Sequence, residues 1–262
     1  MHLRNSVLCP FYTRNKAKGE TINNIGWFWI GCDIHSFMAR IIATLRRVSM
    51  KEYHKIPNIF LRSLETKKIA EGEYANEELN FLRNIEWLFT EKVDGTNIRI
   101  VWDGHKVKIY GRTDDASIPA ELVNRLVERF CGEANEQIFE QNFGDKKVVL
   151  IGEGYGAKIQ GCGGKYRADQ DFILFDVMIG ENFQSREAVE NIATYFNLEV
   201  VPIVFAGTLE EGVEFVKSQP KSRVAKEELV MEGVVGRPAV ELQDRCGNRI
   251  IVKIKTHDFK EW

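Results

Sequence analysis

The 262-residue chain is poor in the features that mark several large protein classes. Its five cysteines (Cys9, Cys32, Cys131, Cys162, Cys246) are scattered, odd in number and form no CxxC pair. That excludes a disulfide scaffold, argues against a structural zinc site and makes a reducing, cytoplasmic location the expectation. No run reaches 18 uncharged apolar residues. The best stretch, 26–45, is interrupted by Asp33 and Arg40, so it is not a membrane span. GxGxxG and GxxxxGK[ST] are both absent, which removes the dinucleotide fingerprint and the P-loop. There is no internal repeat and no low-complexity tract. No histidine among the five stands in a pattern that points to a triad.

What remains is an ordinary globular composition, 44% hydrophobic and 28% charged, with an uneven charge distribution. Residues 1–49 hold seven Lys/Arg and two acids, a net of +5, against −2 for the whole chain. The larger part is therefore acidic and is no general polyanion binder; contact with nucleic acid there requires a local basic patch. Residues 1–49 lack a clear period apart from a short amphipathic segment, 34–48. They read as an N-terminal extension, disordered or not native, with Met50 as the natural start; a basic RNA-binding arm is the other reading.

From residue 50 the element signals alternate. Helices are expected over 76–86, from Pro119 through Phe130, over 186–196, and from a Thr208/Glu211 capping box to Val216. Strands are expected at 87–89, 98–102, 106–110, 148–151, 172–179, 200–205, 229–235 and 249–254, with a hairpin turn at Asp103-Gly104. Hairpins mixed with helices give an α+β class with largely antiparallel sheets and flanking helices.

Five short segments carry chemistry. Lys92-Val93-Asp94-Gly95, followed by Thr96-Asn97, puts a lysine at the end of an apolar strand beside a Gly turn. That setting suits an amine nucleophile, and equally a surface lysine at a β-turn. Glu153 ends an apolar strand, residues 172–176 form an aromatic strand ending in Asp176, and Glu232-Gly233 opens another apolar run. Lys253 and Lys255, two apart on one strand, share a face and are placed either to clamp phosphates or to be solvated. The glycine-rich loop 161–167 carries Lys165 and Arg167, and Arg237 is suited to a phosphate or to an acidic partner.

In this order the segments resemble the covalent nucleotidyltransferases, the superfamily of polynucleotide ligases and mRNA capping enzymes. The resemblance is greatest to RNA ligases of the phage T4 RNA ligase 2 type. Lys92 to Gly95 looks like motif I, Glu153 motif III, 172–176 motif IIIa, Glu232-Gly233 motif IV and Lys253 to Lys255 motif V. Thr96-Asn97 and the Arg112 that follows the next strand are similar to that branch. The likeness spans 53–255 and implies an ATP-grasp-like ligase adenylation domain over 50–262. Seven residues after Lys255 leave no room for the C-terminal OB-fold of DNA ligases and capping enzymes.

The implied activity is ATP-dependent joining of RNA 3′-hydroxyl and 5′-phosphate ends, through AMP held covalently on Lys92 and then an adenylylated 5′ end. Lys92, Asp94, Glu232, Lys253 and Lys255 form the implied catalytic set. Thr90, Glu91, Asn97, Arg112, Glu153 and Phe172 complete the nucleotide site, with Phe172 stacked on adenine and Glu153 on the ribose. Glu232 is the implied ligand of Mg²⁺ or Mn²⁺. The partners are RNA ends, including nicked duplex RNA, and a further protein that supplies end recognition. A DNA ligase, a GTP-dependent guanylyltransferase and a non-catalytic nucleotide- or RNA-binding module are the alternatives.

Overall fold

A computed structural model describes residues 53–63, 65–66 and 68–259, together with the backbone of two strands nearer the N-terminus. The chain divides into two units, Met1–Lys51 and Glu52–Trp262. In the first, β1 (Cys9–Ala17) and β2 (Glu20–Phe28) pair antiparallel. That hairpin was not expected from the pattern. The segment 34–48, expected to be amphipathic, lies outside the described residues.

The second unit is built on two sheets. β3 (Phe60–Arg62) and β4 (Ile69–Tyr74) form a separate pair, followed by the short helix α1 (Glu77–Phe81). α1 is capped by the Asn76 side chain, which accepts from the Leu79 N–H, and it ends well before the expected residue 86. Next come β5 (Trp87–Glu91), β6 (Thr96–Trp102) and β7 (Val107–Tyr110). Two helices follow, α2 (Ala120–Phe130) and α3 (Glu133–Phe143). The remainder is β8 (Val148–Gly156), α4 (Gly163–Tyr166), β9 (Gln170–Ile179), β10 (Asn182–Phe183), α5 (Arg186–Tyr195), β11 (Ile203–Gly207), α6 (Leu209–Lys217), β12 (Gly233–Pro238) and β13 (Val252–Lys255). α6 opens on the expected capping box, with Thr208 and Glu211 satisfying each other's backbone N–H. Among the described residues no helix is long and apolar enough to cross a membrane.

The larger sheet has the order β10-β9-β8-β6-β7 and the smaller β11-β5-β12-β13; every pairing within them is antiparallel. The fold is α+β with antiparallel sheets, as expected. Each sheet uses its period-two alternation to bury one face. In the larger sheet Ile98, Ile100, Leu150, Phe172, Leu174 and Val177 pack with Leu122, Leu126 and Phe130 of α2 and Val189 and Ile192 of α5. In the smaller, Phe89, Val234, Val252 and Ile254 pack with Leu209, Val213 and Val216 of α6. The opposite face of the larger sheet is mixed, with the buried Val149, Ile151 and Ile173 beside the polar Asn97, Arg99 and Glu153.

A bulge in β9 breaks that alternation. Gly152 pairs with Leu174 and Ile151 with Asp176, so Phe175 has no cross-strand partner in β8. Asp176, fully buried, therefore joins a long-range ion network. It accepts from Arg249 Nη1 at 2.8 Å, Arg237 Nη2 at 2.9 Å and the Tyr53 hydroxyl at 2.8 Å. Arg249 is closed off by Glu241 and lies over the Phe183 ring. Removing one member of a buried ion network leaves uncompensated charge. An Asp176→Ala protein should lose about 3–5 kcal/mol of unfolding free energy, read as a lowered midpoint in chemical denaturation at constant m-value.

Candidate active site

A cleft is lined from both sheets. The smaller sheet supplies its outward row. Val235 is paired with Thr90 on one side and Lys253 on the other, so these three side chains share the face opposite the α6 core. The larger sheet supplies Asn97 and Glu153, which are direct cross-strand partners. Phe175, Val201, Arg237, Arg112 and the segment 53–56 complete the wall.

Lys92 follows the last residue of β5 and opens onto this cleft. Its Nζ is 2.5 Å from Glu232 Oε2. The other Glu232 oxygen is 2.9 Å from Lys255 Nζ, so one carboxylate bridges two ammonium groups. Lys253 lines the cleft beside them; its pKa is lowered by burial and by the neighbouring Lys255, Lys92 and Lys55. Six cationic side chains, Lys55, Lys92, Arg112, Arg237, Lys253 and Lys255, thus lie in or beside one cleft, an arrangement suited to a polyphosphate.

The acids are tuned by burial. Glu153 is pushed up to about 8, chiefly by desolvation and further by Glu232 and Asp94, against the opposing pull of Lys92. Near neutral pH it holds a proton and is able to donate as well as accept. Asp94 is raised by desolvation and Glu232, with Lys92 and Lys255 pulling the other way. Glu91 is also raised by burial, though its carboxylate accepts from the Ser222 hydroxyl and the Arg223 N–H.

The structure gathers Thr90, Glu91, Lys92, Asn97, Arg112, Glu153 and Lys253 around the cleft, and brings Glu232 and Lys255 to Lys92 by ion pairs. Two residues fall outside this set: Asp94 does not line the cleft, and Phe172 requires correction. Its ring is 1% exposed, in the core edge-on to Phe130, and a Cβ on Gly152 would sit 2.5 Å from it. The aromatic side chain at the cleft is Phe175, three residues on and so on the opposite face of the strand. Arg237, left open between a phosphate and an acid, lines the cleft while pairing with Asp176. Tyr53 to Ile56 carried no sequence signal. The loop expected at 161–167 contains the helical turn α4.

Two polar atoms at the cleft, Asn97 Oδ1 and Arg237 Nε, are buried and have no hydrogen-bond partner among the described residues. Buried polar atoms without a partner call for an explanation, and a bound polar ligand supplies one. Among the described residues no group of three or more His, Cys, Asp or Glu side chains is placed to hold a metal ion. The donor set instead fits a hard cation held by one carboxylate and the substrate's phosphates.

A family model for RNA ligases matches residues 85–255, which hold Lys92 through Lys255. The chain belongs to the RNA ligase family. No curated protein matches it. Solved structures similar to this one include a mutant of the RNA ligase of Naegleria gruberi with ATP and Mn. It is 14% identical, with a TM-score of 0.53, over 95% of this chain and 74% of that one. A mutant of the same ligase with AMP and Mn gives 14% and 0.54 over 95% and 75%. The ligase with PPi gives 15% and 0.52 over 95% and 75%. Likeness at this identity shows that the RNA ligase nucleotidyltransferase fold is shared.

Proposed function

We propose that this RNA ligase family member joins RNA 3′-hydroxyl and 5′-phosphate ends, using ATP as co-substrate and passing through AMP bound covalently to Lys92. The observation that carries the reading is the Lys92–Glu232 contact of 2.5 Å inside a cleft rich in cations. Lys92 Nζ attacks the α-phosphorus, the bond to the bridging oxygen breaks and pyrophosphate leaves. Glu232 is the carboxylate within reach of the proton that Nζ gives up. Lys253, Lys255 and Arg112 offset the charge of the phosphates, since phosphoryl-type transfer is mostly positioning and charge neutralisation. Glu153 suits the ribose hydroxyls and Phe175 the base, in the place first given to Phe172. Glu232 would also hold a divalent cation, Mg²⁺ or Mn²⁺, which would supply further charge neutralisation when bound.

In the steps that follow, AMP passes from Lys92 to the oxygen of a 5′-phosphate end. The 3′-hydroxyl then attacks that end and AMP leaves. Residues 50–262 are proposed as the adenylyltransferase domain and 1–49 as an extension. RNA ends, including nicked duplex RNA, are the proposed partners, with a further protein for end recognition.

The test is intact-mass spectrometry of the AMP-stripped, folded protein after incubation with ATP and Mg²⁺ or Mn²⁺, beside GTP. The expected result is an added mass of about 329 Da with ATP alone. An adduct with GTP alone points to a guanylyltransferase, and none with either nucleotide overturns the reading.

A further inference from the structure

The turn that presents Lys92 has an anchor of its own. Val93 is 3% exposed, buried with Tyr155, Tyr166, Ile173 and Val201 in a small cluster separate from the two sheet cores. Lys92, its neighbour in the chain, opens onto the cleft, whose wall Val93 and Val201 of this cluster also help to form. Just beyond, the Asp94 N–H lies outside the strand ladders and donates to the Tyr166 hydroxyl at 3.3 Å. Tyr166 is 1% exposed, and its phenol is held protonated by burial above all, with Glu91, Asp94 and Glu232 adding to the rise.

Tyr166 is itself pinned from the far side. The Lys226 N–H donates to the carbonyls of Lys165 at 3.1 Å and Tyr166 at 3.2 Å, and the Glu227 N–H to Lys165 at 3.1 Å. The same stretch reaches Glu91, whose carboxylate accepts from the Ser222 hydroxyl and from the Arg223 N–H at 2.8 Å. Residues 222–227 therefore grip both ends of the Glu91–Asp94 run, directly at Glu91 and through Tyr166 at Asp94. Gly95 closes the turn against β8, where a Cβ would come within 2.3 Å of the Gly154 carbonyl oxygen.

We infer that Tyr166 is a positioning residue for Lys92: its hydroxyl, fixed by the 222–227 segment, holds the Asp94 backbone so that the lysine is presented in line with its target. The inference rests on Lys92 as the acceptor of AMP. It assigns to Tyr166 no contact with nucleotide. Loss of its hydroxyl should thus slow the chemical step and leave ATP binding alone.

The experiment is single-turnover adenylylation of Tyr166→Phe over a range of ATP concentrations, with thermal unfolding alongside. Phenylalanine keeps the ring and its packing. One hydrogen bond of ordinary strength corresponds to about a fivefold change in rate. The saturating rate constant should fall by about threefold or more, with half-saturating ATP within about twofold of the parent and the unfolding midpoint within ~4 °C. A fall of less than about threefold, a loss carried by half-saturating ATP, or a larger drop in midpoint overturns the inference. If the parent protein forms no adduct, the proposed function falls and the inference with it. If the parent reacts and Tyr166→Phe matches it, only the inference falls.

Discussion

Lys92→Ala protein, incubated with ATP and a divalent cation, should show no added AMP by intact-mass spectrometry, while the parent is adenylylated. Alanine has no group able to form the phosphoramidate bond, so the loss should be complete. The fold should survive the change. Lys92 sits at the mouth of a strand, its side chain 24% exposed, and Glu232 keeps its second partner, Lys255, at 2.9 Å. Circular dichroism and the denaturation midpoint should stay close to the parent. A mutant that still gains AMP would place the covalent linkage on another residue. Lys92→Arg is a useful companion, because it keeps the positive charge while removing the accessible lone pair.

Glu232→Gln should have the next largest effect. The carboxylate bridges Lys92 at 2.5 Å and Lys255 at 2.9 Å, with Lys253 close by. Glutamine keeps the shape, loses the charge and is no longer a base. The single-turnover rate of adduct formation should fall by about 10²-fold or more, the usual scale for removing a positioned general base. The measurement is the adenylylation rate across a pH series. A uniform loss at every pH would assign Glu232 a role in charge placement alone.

Much of the site was legible in the chain because its parts are local. Lys92 to Gly95 is a lysine, a carboxylate and a turn glycine at a strand end. Lys253 and Lys255 share a strand face by simple alternation. The capping box of α6 and the apolar face of α2 were equally local and form as expected. α3 was missed because only Phe139 of its side chains is buried, so its apolar period is faint. The β3–β4 pair was missed for a related reason, since β4 buries none of its residues fully.

The two aromatic residues of β9 mark the boundary between the two kinds of information. The sequence alone determined that 172–179 is a buried strand, aromatic-rich up to Asp176. It also determined the order of nucleophile, acids and paired lysines along the chain. Strict alternation puts Phe172 and Asp176 on one face; the bulge opposite Ile151 and Gly152 shifts the phase by one residue. Asp176 therefore leaves the core face that Phe172 keeps and joins the ion network, whereas Phe175, three residues from Phe172, faces the cleft by alternation alone; which face is core is set by the packing of the sheet and not by the strand's composition. The same is true of the contacts that complete the site. Lys92 meets Glu232 across 140 residues of chain, and Asp94 meets Tyr166 across 72. Local pattern specifies which groups a strand can offer; only the packing of distant strands decides which of them touch.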